Sequence, residues 1–133
     1  MRSWLIDKSA LVRLGSSSDA QLWSDRITRG LVRVTSITLL EIGFSARNEG
    51  DWNRLIRDVP VAYMPVEMMT PAAERRAVEV QRLLSLSGRH RAPSIPDLMI
   101  AAVAEQAGLT VLHLDKDFEL IADVTRQELQ RLE

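Results

Sequence analysis

Short apolar runs that end in acid mark the two ends of the chain. Trp4-Leu5-Ile6 runs into Asp7, and Thr110-Val111-Leu112-His113-Leu114 runs into Asp115-Lys116-Asp117. Short apolar runs of this length predict buried strands, the first over residues 3 to 7 and the other over Thr110 to Leu114. Leu31-Val32-Arg33-Val34-Thr35 is β-branched and alternating, which predicts another strand. Helical spacing fills the intervals. Ser9 is placed to cap a short helix over Ala10 to Leu14, broken at Gly15-Ser16-Ser17-Ser18. Asp19 is placed to cap a second helix through Arg29, with Leu22, Trp23 and Ile27 as its apolar stripe, ended by Gly30. Thr35 or Ser36 caps a helix over Ile37 to Arg47, and a further helical stretch runs from Asp51 to Asp58. Prolines at both ends predict an extended segment from Pro60 to Pro65.

Thr70-Pro71, a cap followed by a first-turn proline, opens the longest helix, which reaches Leu86 and stops at Gly88. Ser94-Ile95-Pro96-Asp97 opens another, through Ala107, closed by Gly108. Phe118 to Ala122 is a helical turn. From Val124 the pattern fades, with Gln127 to Leu132 compatible with helix. Strands alternating with helices predict a parallel sheet covered by helices, and a chain of 133 residues fits a single domain over 1–133.

Composition narrows the picture. At 46% hydrophobic and 26% charged residues the chain reads as an ordinary globular protein. No apolar run approaches the about 20 residues of a membrane helix, and Asp7 interrupts the N-terminal apolar run too early for a secretory signal. The absence of cysteine removes disulfides and thiolate chemistry and suits a cytoplasmic setting. A net charge of −1 excludes a bulk polycation, so any nucleic-acid contact must come from a local patch. Lys8 and Lys116 beside the acids, and Arg89-His90-Arg91, are the candidates.

The acids carry the chemistry. If the two acid-ended runs are parallel neighbours, Asp7 and Asp115 meet at the carboxyl edge of the sheet, where open α/β sheets bind ligands. Each acid also has a plainer reading: Asp7 as a turn or cap residue, Asp97 as half of a capping box, Asp115 and Asp117 as a charged turn. Thr38, Glu41 and Ser45 form one narrow polar stripe that faces either solvent or a cleft. Carboxylates converging in a poorly solvated cleft require positive compensation, and a divalent cation supplies it. There is no histidine cluster for zinc, no serine triad, no GxGxxG and no P-loop.

Asp7-Lys8-Ser9-Ala10, Thr38-Leu39-Leu40-Glu41, Pro93-Ser94-Ile95-Pro96-Asp97-Leu98-Met99-Ile100-Ala101-Ala102 and His113-Leu114-Asp115-Lys116-Asp117-Phe118 together resemble the successive motifs of PIN-domain ribonucleases, above all the VapC toxins of type II toxin–antitoxin systems. The resemblance covers residues 3 to 122. It implies a three-layer α/β/α sandwich on a mainly parallel central sheet, and Mg²⁺ or Mn²⁺ held by carboxylates. It also implies endonucleolytic cleavage of structured RNA (tRNA or rRNA), a homodimer, and neutralisation by a VapB-like antitoxin. Carried across, Asp7, Glu41, Asp97 and Asp115 match the four core acids and Asp117 a frequent fifth, while Ser9 matches the small hydroxyl residue after the first acid. His113 departs from the family, which often carries Thr or Ser there.

On that reading Asp7, Asp97 and Asp115 ligate the metal. Glu41 and Asp117 bind a second ion or orient water, and Lys8, Ser9, Arg89, Arg91 and Lys116 contact RNA. The alternative is a PIN-like or receiver-like acidic pocket used for binding or signalling without nuclease activity. A receiver, however, needs a second acid beside Asp7 and a late Lys-Pro, and the chain has neither.

Overall fold

A computed structural model describes residues 2–133 of the chain. Its elements run β1 (Trp4–Ile6), α1 (Lys8–Leu11), α2 (Ala20–Thr28), β2 (Val32–Thr35), α3 (Ser36–Phe44), α4 (Glu49–Arg57), β3 (Val66–Glu67), α5 (Pro71–Ser85), α6 (Ile95–Ala107), β4 (Thr110–His113), α7 (Asp117–Thr125) and β5 (Leu129–Arg131). The strands form one sheet in the order β3-β2-β1-β4-β5, and every pairing is parallel. Leu5 pairs with Arg33 on one side and Val111 on the other.

Strand alternation sorts the core into two halves. Leu5 and Val111 pack with Leu84 of α5, Ile100 and Ala104 of α6, and Phe118 and Ile121 of α7. Trp4, Ile6, Val32, Val34 and Leu112 pack on the opposite face with Ala10, Trp23 and Ile27. The result is the expected three-layer sandwich, and β1 and β4 read as unbroken apolar runs because helices cover both their faces. Trp4 and Trp23 meet edge to face at 5.2 Å, and the Arg26 guanidinium lies 4.5 and 4.6 Å from the two rings.

Most helix starts follow the sequence. Thr70 and Ser94 cap α5 and α6 by accepting the N–H groups of Ala73 and Asp97, and Thr35 caps α3 through Thr38. Other expectations need correction. The cap of α1 is Asp7 and not Ser9: the carboxylate accepts the Ser9 N–H, so the helix begins earlier. Leu22 is exposed, because only Trp23 and Ile27 of α2 turn toward the sheet. Residues 61–63 form a 3-10 turn rather than an extended segment, since Pro60 itself sits in helical geometry. The edge strand β3 follows it. The tail is strand, not helix: β5 runs alongside β4, with Leu129 opposite Val111 and Arg131 opposite His113. α7 is also longer than the single turn expected, extending to Thr125. Among the described residues no helix is long and apolar enough to cross a membrane.

Candidate active site

The sheet order places β2 on one side of β1 and β4 on the other. The chain therefore leaves β1 and β4 at the point where the winding reverses, and a crevice opens between them. Asp7 is the first residue after β1, and Asp115 is the second after β4. Helices that precede or follow parallel strands run antiparallel to them. The start of α6, carrying Asp97, and the start of α3, which leads to Glu41, thus reach the same edge.

All five acids line one cleft of ≈ 580 Å³, together with Lys8, Ser9 and Arg91. Asp97, Asp115 and Asp117 come together most tightly, each offering a carboxylate oxygen within 4.8 Å of the others. Asp7 is 3% exposed, and its Oδ2 accepts both the N–H (3.0 Å) and the Oγ–H (2.7 Å) of Ser9. Ser9 Oγ in turn accepts the Leu114 N–H at 2.9 Å. One hydroxyl thus ties the loop after β1 to the loop after β4. Asp97 is 7% exposed and its N–H is held by Ser94 Oγ at 3.2 Å, so the residue both belongs to the helix cap and faces the cleft.

The polar stripe of α3 divides. Thr38 is buried against the Thr35 hydroxyl, Glu41 is half-buried in the cleft, and Ser45 is exposed. Oε1 of Glu41 is a buried oxygen without a hydrogen-bond partner.

These acids repel one another at close quarters. Burial, with Asp7 and Asp115 alongside, pushes the Asp97 carboxyl up to about 8. Burial and then Asp7 raise Glu41, partly offset by Lys8. Burial and then Asp115 raise Asp117, partly offset by Lys116. A pocket in which Glu41, Asp97 and Asp117 resist ionisation and a buried oxygen lacks a partner is short of positive charge. An oxygen-only donor set of this kind fits a hard divalent ion. Asp97, Asp115 and Asp117 are placed to hold one, with Asp7 and Glu41 on the adjoining wall.

The basic residues separate. Lys8 and Arg91 line the cleft. Arg89 points elsewhere, its guanidinium 3.1 Å from Asp123, and Lys116 is exposed at the start of α7, outside the cleft lining. His113, read from the sequence as a structural strand residue, is buried to 1% exposure and its side chain reaches the Asp115 backbone: Nδ1 accepts the Asp115 N–H at 3.2 Å. Burial, above all, holds the imidazole below its ordinary range.

A parallel sheet of this order with carboxylates gathered at its switch point defines an acidic-pocket α/β protein. The pattern that defines the PIN domain matches residues 4–124, and the chain belongs to that family. Its relatives there are VapC proteins. It is 59% identical over 129 residues to Ribonuclease VapC2 of Mycobacterium tuberculosis, spanning 97% of this chain and 92% of that one. It is 42% identical over 127 residues to Ribonuclease VapC51 of the same species, spanning 96% and 90%. Among solved structures, that of DNA-bound VapBC from Salmonella typhimurium superimposes with a TM-score of 0.78 at 19% identity, covering 98% of both chains, a likeness of fold.

Proposed function

We propose that residues 1–133 form one nuclease domain, a VapC-like toxin that hydrolyses phosphodiester bonds in structured RNA, tRNA or rRNA, with Mg²⁺ or Mn²⁺. The observation that carries this reading is the convergence of Asp7, Glu41, Asp97, Asp115 and Asp117 on one cleft whose only basic lining residues among those described are Lys8 and Arg91. The VapC relatives, themselves ribonucleases, support it.

A divalent ion held there would supply Lewis acidity toward a scissile phosphate and an attacking water. The chain's own residues do the rest. Asp97, Asp115 and Asp117 would hold the cation, and Asp7, its carboxylate oriented by Ser9, would add a further ligand. Glu41, with its unpartnered Oε1, completes the shell or orients water. Lys8 and Arg91 hold phosphates on either side of the cut. Arg89 and Lys116 contribute at the margin, where an RNA longer than the cleft would pass.

A VapB-like antitoxin and a second copy of the chain are the proposed protein partners, and the cytoplasm the proposed setting. Phe44, 91% exposed, and Leu40, 73% exposed, support protein contacts, since apolar side chains this large are costly to leave clustered in water. Total RNA incubated with the protein and Mg²⁺ or Mn²⁺ should yield discrete fragments whose ends map to one RNA class. Intact RNA under both ions, with folded protein, would leave the pocket as a binding module.

A further inference from the structure

The turn that presents Asp115 and Asp117 is not held by the sheet. Between the end of β4 and the start of α7, the N–H groups of Leu114, Asp115 and Asp117 are each taken by a side chain: Ser9 Oγ at 2.9 Å, His113 Nδ1 at 3.2 Å and Asp115 Oδ1 at 2.9 Å. The bond from Asp117 to Asp115 is internal to the turn, so Ser9 and His113 are its external anchors. His113 is itself fixed. Its backbone carbonyl accepts the Leu132 N–H at 3.0 Å, it pairs with Arg131 of β5, and its ring packs on Phe118 at 5.3 Å between centroids. A hydroxyl side chain at this position would be shorter than an imidazole and would offer Phe118 no ring to pack on.

We propose that His113 is a positioning residue for the nuclease site: its Nδ1 lone pair fixes the Asp115 backbone, and its ring, packed at a tilt against Phe118, fixes the start of α7. Together these hold the Asp115 and Asp117 carboxylates at cation-binding separation. Acceptance of the Asp115 N–H at Nδ1 places the ring proton on Nε2. The inference rests on the acid cluster being a cation site. Outer-shell partners of this kind typically contribute about 10–100-fold in metal affinity or activity.

Two variants separate the acceptor from the bulk. His113→Phe keeps a ring against Phe118 and removes the acceptor, whereas His113→Asn places a carbonyl oxygen near Nδ1. Mn²⁺ alone is titrated into each protein by calorimetry, Asp115 amide exchange is followed by NMR without metal, and kcat and KM are measured on RNA. The expected result for His113→Phe is Mn²⁺ affinity about 10-fold weaker or more, lower kcat at little-changed KM, and a fast-exchanging Asp115 amide. His113→Asn should recover most of each. Equal Mn²⁺ affinity and equal Asp115 exchange in wild type and His113→Phe would overturn the proposal. If wild type takes up no Mn²⁺, the cation reading itself falls. The amide exchange then decides the His113 role alone: slow in wild type and His113→Asn but fast in His113→Phe supports it, and no difference overturns it.

Discussion

Ser9 Oγ donates to Asp7 Oδ2 at 2.7 Å while accepting the Leu114 N–H at 2.9 Å. A single hydroxyl so placed sets the spacing of two carboxylate-bearing loops that lie far apart in sequence. Ser9→Ala leaves the Leu114 N–H without its acceptor and Asp7 with one donor fewer. Unsatisfied buried polar groups cost about 1–3 kcal/mol, so the variant should unfold at measurably lower denaturant concentration and cleave RNA more slowly. Ser9→Thr keeps the hydroxyl and should stay close to wild type in both. A Ser9→Ala protein with unaltered stability and rate would show that the bond positions nothing.

Asp7→Asn and Asp97→Asn should abolish cleavage, and EDTA should do the same to the wild-type protein. Stability distinguishes a catalytic role from a capping one. Asp97 is buried among acids, so replacing its charge by a neutral amide should stabilise the metal-free chain at pH 8, by about 1 kcal/mol or more given ~1.4 kcal/mol per unit of pKa shift. If Asp97→Asn instead melts well below wild type, the helix-capping contribution of the carboxylate outweighs the repulsion.

The raised carboxyls also set a pH dependence. Asp97 holds its proton in the fold up to about 8 but loses it near 3.8 in the unfolded chain. Between those values the folded state binds more protons, so raising the pH favours unfolding. Glu41 and Asp117, both raised, act in the same direction. In EDTA the melting temperature should fall as pH rises from 6.5 to 8, above the range in which the depressed His113 acts in the opposite sense, and Asp97→Asn should flatten that slope. Mn²⁺ should restore stability most strongly at the alkaline end, where fewer protons compete for the carboxylates. A metal-free melting temperature that climbs across this range would contradict the crowding of charge inferred for the cleft.

The sequence made the site legible wherever an acid interrupts an apolar run. Asp7 and Asp115 stand where strands leave the core, and Ser94 with Asp97 marks a helix start; local chemistry determines all of these. Glu41 was open between solvent and cleft because a stripe on a helix does not say what lies opposite it. The same blindness hid the exposure of Leu22, Leu40 and Phe44. β5 escaped because Leu129-Gln130-Arg131 is a short edge strand, with Leu129 and Gln130 half-buried and Arg131 exposed, and carries no apolar run. α7 ends at Arg126 in the left-handed region without the glycine that usually announces such an end. The Arg89 pairing with Asp123 spans the basic loop and α7, a contact that no local pattern encodes.

Gly43 shows a packing constraint next to the site. A Cβ there would lie 2.7 Å from Trp52 Nε1 and 3.1 Å from its Cδ1. α4 buries no residue fully, so the approach of Trp52 and Ile56 to the bare backbone at Gly43 is a principal contact holding it against α3. Gly43→Ala gains about 1 kcal/mol of helix propensity but forces an indole ring aside, an overpacking cost of about 1–3 kcal/mol. The balance should be a loss of stability. It should appear locally as faster amide exchange over residues 49–57 and a red shift in tryptophan emission, which reports Trp52 because Trp4 and Trp23 stay buried. Gly43→Ala combined with Trp52→Leu should regain stability, since the smaller side chain accommodates the methyl. If Gly43→Ala alone matches or exceeds the wild-type melting temperature with unchanged emission, the ring moves aside freely and the glycine is not required for packing.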